Sequence, residues 1–284
     1  MPPTPITASA AVVRPAWREI GERVYVRRHA SFDVNVGLIV GTERCVVIDT
    51  LSTYAQAADL IHAIREVTDR PWTVVNTHAH FDHCFGNAMF RPADIWGHSR
   101  TAAELREFGA TQRETLREFV VGQGKPELLV ELDKVVIDPP NRIVEHSETL
   151  EIGGRTVVLQ FLGRGHTDGD IVVGVPDCGV VFTGDLIEQG APPSFEDAFP
   201  MDWPGTAAAL LPLATGPVVP GHGDVVDRDF VERQAGELAV IAEHARVVHA
   251  AGRSAADNWS ALPLPEPAAR TALARALWQL DRAH

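Results

Sequence analysis

The sequence lacks long apolar runs and a cysteine framework, and each absence excludes a class of protein. No apolar run reaches the roughly 18 residues that a membrane-spanning helix needs, and the first residues show neither the basic nor the apolar segment of a signal peptide. We therefore expect a cytoplasmic protein with no membrane contact. The three cysteines, Cys45, Cys84 and Cys178, are widely spaced and form no CxxC pair, which argues against a disulfide scaffold and against a cysteine-ligated zinc site.

The sequence also lacks a basic tract. Its 25 lysines and arginines are outnumbered by 38 aspartates and glutamates, so the formal net charge is −13. A field of this sign repels phosphate backbones, so we expect a small-molecule substrate and no nucleic-acid partner. The 284 residues allow one or two domains, and 45% hydrophobic and 22% charged residues are typical of globular proteins.

Short β-branched segments occur in two batches, and each batch is followed by segments with a helical spacing of apolar residues. This order predicts a layered α/β protein. We expect helices over about 53–67, 227–250 and 267–280. The chain is divided into an N-terminal tail, a catalytic domain and a C-terminal helical extension packed on the same domain, which span residues 1–20, 21–226 and 227–284.

The strongest chemical signal is a cluster of ligand-type side chains directly after a strand expected at 72–76. The cluster consists of His78, His80, Asp82 and His83. Alternate residues of an extended segment point the same way, so His78 and His80 can bind one metal ion together. Asp82 and His83 follow where the chain turns, and they can reach a second ion. Imidazole and carboxylate ligands suit zinc, iron or manganese better than calcium or magnesium.

Three further ligand-type residues follow apolar strands elsewhere in the chain. They are His166, Asp185 and His222. Small residues surround each of them, and glycine lets the backbone approach a bound group closely. Because one loop cannot complete two coordination shells, we expect these three residues to supply the remaining ligands.

From about Val24 to Asp224 the sequence resembles the metallo-β-lactamase superfamily. The shared pattern is a strand-end aspartate, then HxHxDH, then a separate histidine, aspartate and histidine. The resemblance implies an α/β fold built as an αββα four-layer sandwich, here with extra C-terminal helices. It also implies that the metals lie in a groove at one edge of the two sheets.

The resemblance further implies a role for each residue of the pattern. The ligands of the first metal are His78, His80 and His166. The ligands of the second metal are Asp82, His83 and His222. Asp185 bridges both metals, and Asp49 orients a ligand from a buried position without binding metal itself.

The predicted function follows from the way in which metals activate water. Metal binding lowers the pKa of a water molecule from about 15.7 to about 7. We therefore predict a binuclear hydrolase in which a metal-bridging hydroxide attacks the ester, lactone, thioester or amide carbonyl of a small molecule. Asp82 is the candidate catalytic residue, because it can orient the hydroxide and move its proton. Two zinc ions are the expected cofactors, with iron or manganese as alternatives.

Within the superfamily the sequence favours a generic branch close to glyoxalase II-like enzymes and lactonases, without the special signature of either. Quorum-signal lactonases commonly place a tyrosine just beyond the bridging aspartate, where this chain has Leu186. The C-terminal tail lacks the lysine and tyrosine of glyoxalase II-like enzymes. Two other functions stay open, a mononuclear iron dioxygenase that acts on persulfides and a non-catalytic metal-binding module. We expect a monomer or a homodimer.

Two segments, 122–141 and 189–205, are candidates for the walls of a substrate groove. The second is rich in proline and aromatic residues. Phe195, Phe199 and Trp203 would supply apolar contacts there, and the alternative is that they pack in the core and anchor the loop. A hydrophobic ester, lactone, thioester or amide fits an apolar wall of this kind.

Overall fold

Two β-sheets stand at the centre of the structure, a computed structural model that describes residues 16–122 and 128–282. The strands of the first sheet, in their order across the sheet, are β1 (Arg18–Gly21), β2 (Val24–Arg28), β3 (Asn35–Val40), β4 (Cys45–Ile48), β5 (Trp72–Val75), β6 (Ile95–His98) and β7 (Arg142–Val144). The strands of the second sheet are β8 (Ser147–Glu151), β9 (Thr156–Phe161), β10 (Ile171–Val175), β11 (Val180–Glu188) and β12 (Val218–His222). They pair in the order β12-β11-β10-β9-β8.

Helices connect the strands and cover the outer faces of the sheets. They are α1 (Tyr54–Val67), α2 (Phe81–Cys84), α3 (Ser99–Gly122), α4 (Leu129–Lys134), α5 (Trp203–Ala209), α6 (Arg228–Ala250) and α7 (Glu266–Asp281). Short 3-10 turns lie at Asn87–Phe90, Ala255–Asp257 and Trp259–Ala261.

The alternation of side chains along the strands produces four layers. In β3, Leu38 packs with α1, whereas its neighbour Ile39 packs against the second sheet. In β10, Val172 packs with the C-terminal helices, whereas Val173 packs against the first sheet. Successive strand residues point to opposite faces, so each sheet buries one face against the other sheet and one against helices. The expected αββα sandwich is confirmed.

The helices of the outer layers begin at clear capping signals. The Thr53 side chain accepts the backbone N–H of Gln56 and the Gln56 side chain accepts that of Thr53, which is a capping box at the start of α1. The Asp227 side chain caps α6 by accepting the backbone N–H of Phe230 at 2.9 Å. Both helices fall where the periodicity of the sequence predicts them.

Parallel strand pairs bring the functional residues to one edge of the sandwich. β4 runs parallel to β5, and β11 runs parallel to β12. The carboxyl ends of parallel strands meet at the same edge of a sheet. Asp49, which follows β4, therefore lies beside the residues that follow β5, and Asp185 in β11 lies beside His222 at the end of β12.

Several elements were not predicted from the sequence, namely the strands β1, β6, β7 and β8 and the short helices α2 and α4. Because β1 begins at Arg18, the last residues of the expected tail, 1–20, belong to the first sheet, and residues 1–15 lie outside the described part of the chain. α6 and α7 share a core cluster with the second sheet, and the division of the chain at residue 226 stays a prediction. None of the described helices is long and apolar enough to cross a membrane.

Candidate metal centre

The segment after β5 carries four of the expected ligands to the edge of the sandwich. His78 and His80 lie in the chain that follows the strand, and Asp82 and His83 lie in the short helix α2. His78 and His83 are buried. The extended conformation of His80 at the start of α2 places the second histidine of the motif on the same side as the first.

The seven expected ligands converge in two groups. Within each group, one ligand atom of every residue lies within 4.8 Å of the others. The first group consists of His78, His80, His166 and Asp185. The second group consists of Asp82, His83 and His222. Asp185 faces both groups. Its Oδ2 lies 3.4 Å from Nε2 of His166 in the first group and 3.1 Å from Nε2 of His222 in the second group.

The spacing of these atoms fits divalent metal ions. Four ligands held at about 2.0–2.1 Å around a tetrahedral zinc ion lie roughly 3.3 Å apart. Nε2 of His83 lies 3.4 Å from Nε2 of His222 and 3.3 Å from Oδ1 of Asp185. Nε2 of His78 lies 3.7 Å from Oδ2 of Asp185. The side chains therefore stand at the separations that a shared ion requires.

Two of the imidazoles in the second group are held from the far side of the ring. Nδ1 of His83 donates to Oδ2 of Asp49 at 2.8 Å, and Nδ1 of His222 donates to the carbonyl oxygen of Phe32 at 2.7 Å. A proton on one ring nitrogen leaves the lone pair of the other nitrogen available to a metal. In both residues the available nitrogen is the Nε2 that faces the centre.

Some buried nitrogen and oxygen atoms at the centre lack a hydrogen-bond partner in the described part of the chain, and a bound cation could take the place of that partner. Nε2 of His78 and Oδ1 of Asp185 have no hydrogen-bond partner among the described residues. Nε2 of His166 and Nδ1 of His80 lie 2.8 Å apart, a contact between two ring nitrogens that a shared proton or cation satisfies. An unpaired buried polar atom costs about 1–3 kcal/mol. The histidine and aspartate donors are therefore a good fit to a divalent metal ion.

The charges of the site shift the pKa values of its members in opposite directions. Burial lowers the pKa of His83, but the charges of Asp185 and Asp82 outweigh burial and raise that pKa to about 9. Burial lowers the pKa of His166 to about 4. Burial disfavours the charged form of Asp185, yet the surrounding histidines hold its pKa well below the usual range. The site therefore stabilises positive charge between its carboxylates.

Backbone geometry places Asp49 and Asp185 where they contact the histidines. Asp49 has a φ of 65°, a left-handed conformation that aspartate adopts more readily than most residues. Its carboxylate accepts the N–H and the Oγ1–H of Thr77 at 2.8 and 2.9 Å. A Cβ atom at Gly221 would collide with the carboxylate of Asp185, so glycine is required where β12 passes that side chain.

Two acidic residues that the sequence did not indicate also contact the ligands. Oδ2 of Asp197 lies 3.0 Å from Nε2 of His80, which leaves Nδ1 of that imidazole free to face the centre. Oε1 of Glu188 lies 3.8 Å from Nδ1 of His166. Burial raises the pKa of Glu188 to about 8. Both acids are far from their partners in the sequence, and the only local signal is an acidic residue at or beyond the end of a strand.

A cavity of about 670 Å³ opens onto the ligands. One of its walls is apolar and is formed by Phe32, Phe81, Phe108, Leu116 and Phe119. The rings of Phe32 and Phe81 meet edge to face with centroids 5.0 Å apart, and the centroid of Phe119 lies 6.4 Å from that of Phe32. We call this surface the aromatic wall. At one end of the cavity lie His80, Asp82, His166, Asp185 and His222.

The expectation that Phe195, Phe199 and Trp203 line the groove is not met by the structure. Phe195 and Trp203 are 2% and 0% exposed and belong to the core cluster of the second sheet. The Trp203 ring packs edge to face against His166, with centroids 5.8 Å apart. Phe199 lies beneath the guanidinium of Arg164 at 4.4 Å. Large aromatic rings at a loop edge gain more by burial in the core than by contact with solvent.

The segments expected to form the walls contribute differently. Segment 189–205 reaches the cavity through polar residues, which are Ser194, Glu196 and Asp197. In segment 122–141 the structure describes Gly122 and residues 128–141, and none of these residues lines the cavity. Leu128 and Leu129 instead belong to the same apolar cluster as Phe32 and Phe81 of the aromatic wall.

The structure is an αββα sandwich with a candidate metal centre at one edge. Comparisons with known proteins give its family. The profile of the Metallo-beta-lactamase superfamily matches residues 31–222, and the chain belongs to this superfamily. The human protein named Acyl-coenzyme A thioesterase MBLAC2 is 27% identical over 220 residues, which cover 72% of this chain and 76% of that protein. Metallo-beta-lactamase type 2 of Bacillus cereus is 26% identical over 203 residues, or 69% of each chain.

Solved structures share the fold at lower identity. A metallo-beta-lactamase from Pontibacter korlensis superimposes with a TM-score of 0.61 at 19% identity, over 80% of this chain and 99% of that one. A double mutant of the sec-alkyl sulfatase PisA1 gives a TM-score of 0.74 at 17% identity, over 94% of this chain and 50% of that one. Because the sequence relatives are metal-dependent hydrolases, this chain is a metal-dependent hydrolase that binds divalent metal.

Proposed function

We propose that the protein hydrolyses an ester, lactone, thioester or amide carbonyl of a small apolar molecule with two divalent metal ions, most simply zinc. The observation that carries this proposal is the convergence of two ligand groups at one end of a cavity with an aromatic wall. One group would hold each ion, and Asp185 faces both. Metal ions bound there would supply Lewis-acid polarisation of the carbonyl and water that is acidic enough to react at neutral pH.

The residues of the chain have separate tasks in this proposal. Asp82 has its Oδ2 within 3.7 Å of His83 and 3.6 Å of His222, and it lines the cavity. We assign to its carboxylate the orientation of the attacking water and the acceptance of a proton from it. The aromatic wall binds the apolar part of the substrate and excludes water from the reacting end of the cavity.

The comparisons support a carbonyl carbon as the reacting centre. The human relative is named as a thioesterase and the Bacillus cereus relative as a beta-lactamase, and these names describe the cleavage of a thioester and of a cyclic amide. The aromatic wall adds that the acyl or leaving group is hydrophobic. The two relatives differ in the bond that they cleave, so the four carbonyl classes are tested together.

The test is a hydrolysis panel of para-nitrophenyl butanoate, a δ-lactone, an acyl thioester and an anilide, run before and after metal removal by a chelator. We expect kcat/KM for at least one substrate to fall by about a hundredfold or more on metal removal and to return with zinc or manganese. The variant His166→Ala should lose the same activity, and His62→Ala, at an exposed position on α1, should keep it. Hydrolysis that is indifferent to metal would contradict the proposal.

Two other outcomes would point to the other functions that the sequence left open. One iron per chain together with oxygen uptake on a persulfide would assign the protein to the dioxygenases. Full metal occupancy without turnover of any substrate would favour a non-catalytic metal-binding module.

A further inference from the structure

One face of α3 forms a long side of the cavity. Its lining residues follow the helical repeat of three and four positions, and they are Glu104, Phe108, Thr111, Gln112, Thr115, Leu116 and Phe119. Glu104 and Phe108 are four residues apart, so their side chains are neighbours on the helix surface. Phe108 and Phe119 are 44% and 51% exposed, and exposed apolar side chains that are grouped on one surface are typical of a ligand-binding site.

The part of the cavity lining that lies in and after β11 is acidic. Glu196 is exposed beside Ser194, whose Oγ–H it accepts at 2.7 Å, and both residues line the cavity together with Glu188 and Asp197. Within residues 16–122 and 128–282, no lysine or arginine lines this cavity. No lysine or arginine of the described lining therefore opposes Glu104 or Glu196, whereas Asp197 and Glu188 contact His80 and His166. The net charge of −13 adds a field of the same sign.

We infer that the site selects apolar acyl substrates by charge, in the order cationic, then neutral, then anionic, with Glu104 and Glu196 as the residues that set this order. The inference rests on the proposed function, because it concerns the substrate of the same site. A carboxylate next to an aromatic ring is a favourable environment for an ammonium group, which the ring face attracts as well. An anionic group in the same place would be repelled by both walls.

This charge pattern predicts which thioesters the chain accepts. An acyl-coenzyme A thioester carries phosphate groups, and proteins usually bind phosphate through arginine, lysine or a helix N-terminus. The described walls of this cavity provide carboxylates instead. We therefore expect simple thioesters to be better substrates than coenzyme A thioesters of the same acyl group.

The test uses three para-nitrophenyl esters that share a four-carbon acyl chain, namely the butanoate, the hemisuccinate and the 4-trimethylammonio-butanoate, with the metal-loaded enzyme at pH 8. In the wild type we expect kcat/KM to be at least about tenfold higher for the cation than for the anion. In the double variant Glu104→Gln with Glu196→Gln this ratio should fall to near one. Glu107→Gln, an exposed acid of α3 that does not line the cavity, should leave the ratio unchanged.

A binding measurement makes the result independent of turnover. Calorimetric titration with benzyltrimethylammonium, against benzyl alcohol as the neutral control, should show a Kd for the cation that weakens at least about fivefold in the double variant and stays unchanged in Glu107→Gln. If no ester is hydrolysed but this pattern of binding appears, the proposed function fails and the charge selection stands. If the esters are hydrolysed with a charge ratio that the double variant does not change, the charge selection is wrong and the proposed function stands.

Discussion

At the scale of single residues, the contact between Asp49 and His83 decides which nitrogen of the imidazole faces the metal centre. The carboxylate of Asp49 is an acceptor for the Nδ1–H of His83, and its other hydrogen bonds come from Thr77. This arrangement keeps the lone pair on Nε2 directed at the second ligand group. Asp49 thus acts on the metal through the tautomer of a histidine.

Replacement of this carboxylate by its amide tests the assignment. In Asp49→Asn the side-chain amide N–H groups face Nδ1 of His83, so the imidazole must move its proton to Nε2 to accept a hydrogen bond. Asparagine also tolerates the left-handed backbone at this position. We expect the affinity of the second group for zinc to fall about 10–100-fold, measured by competition with a chromogenic chelator.

The matched control for this variant is Asp94→Asn, an aspartate that pairs with Arg142 at the surface. Asp94→Asn should bind zinc with the same affinity as the wild type. An Asp49→Asn protein with wild-type zinc affinity would show that the carboxylate does not set the tautomer.

His29 gives a prediction about stability and pH. Burial, with a contribution from the charge of Arg27, lowers the pKa of His29 to about 4, below its ordinary value of about 6.5 in the unfolded chain. Between these values the unfolded state binds the proton and the folded state does not, so stability falls as pH drops from about 6.5 to about 4. One pKa unit corresponds to about 1.4 kcal/mol, so the loss is at most a few kcal/mol.

The variant His29→Gln removes the titrating group, and its denaturant midpoint should depend less on pH between 4 and 6.5 than that of the wild type. The exposed His62 on α1, changed to Gln, serves as control and should keep the wild-type dependence. Equal pH dependence in His29→Gln and the wild type would mean that His29 does not carry this linkage.

The seven metal ligands were open to prediction because four of them lie within six consecutive residues and the other three each follow an apolar strand. The convergence of these seven side chains follows the grouping implied by the superfamily pattern. Asp197 was not predictable, because its partner His80 lies 117 residues away and only the fold brings them together. The role of Phe32 was not predictable for the same reason, because its carbonyl oxygen accepts a hydrogen bond from His222, which lies 190 residues away in the sequence.

At the scale of elements, α7 acts as a support for one metal ligand. Arg275 donates from Nε to the carbonyl of Ala198 at 2.7 Å and from Nη2 to the carbonyl of Asp197 at 2.8 Å. The carboxylate of Asp197 in turn contacts His80. The C-terminal helix therefore fixes the loop whose acid sets the orientation of a metal-binding imidazole.

Loss of this support should weaken the first ligand group. In Arg275→Ala the loop at 197–198 loses both hydrogen bonds, and we expect the zinc affinity of that group to fall roughly tenfold, with faster release of the ion to a chelator. Arg270→Ala is the matched control, because Arg270 lies on the same helix and stacks on Trp259 as Arg275 stacks on Trp278, but its Nε donates a hydrogen bond to Glu266. Equal release rates in the two variants would contradict the role of α7.

The elements that the sequence indicated are those with a strong apolar pattern. β3, β5 and β11 are rich in valine and isoleucine and are almost wholly buried. The edge strand β8, Ser147–Glu151, is polar and mostly exposed, and edge strands are commonly charged because that discourages pairing with other chains. Its sequence therefore carries no alternation that would predict a strand.

α3 shows that a helix can have a clear apolar period in its sequence while the sequence leaves its function hidden. Leu105 and Val120 of its apolar stripe are buried, whereas Phe108 and Phe119 are exposed. The period of the pattern is the same for both pairs. The neighbouring loops decide which of these apolar side chains pack in the core and which face the cavity. The positions of those loops depend on the tertiary structure.

At the scale of the whole molecule, the sandwich separates stability from chemistry. Three core clusters fill the spaces between the four layers, and the functional residues lie at the edge where parallel strands end. Loops at that edge can vary without disturbing the layers, which is why one fold serves many substrates. We therefore expect the choice of substrate to depend on α3 and on segment 189–205, which contribute much of the cavity lining.

Two groups of ligands converge at the edge of the sandwich, and we propose that each holds one divalent ion. The most direct measurement is elemental analysis of the protein purified without added metal, together with the same analysis of Asp185→Ala, which removes the carboxylate that faces both groups. The wild type should contain two divalent ions per chain, mostly zinc, and the variant should retain fewer. A wild-type protein with a single iron and no other metal, or with no bound metal after reconstitution with zinc, would contradict the account.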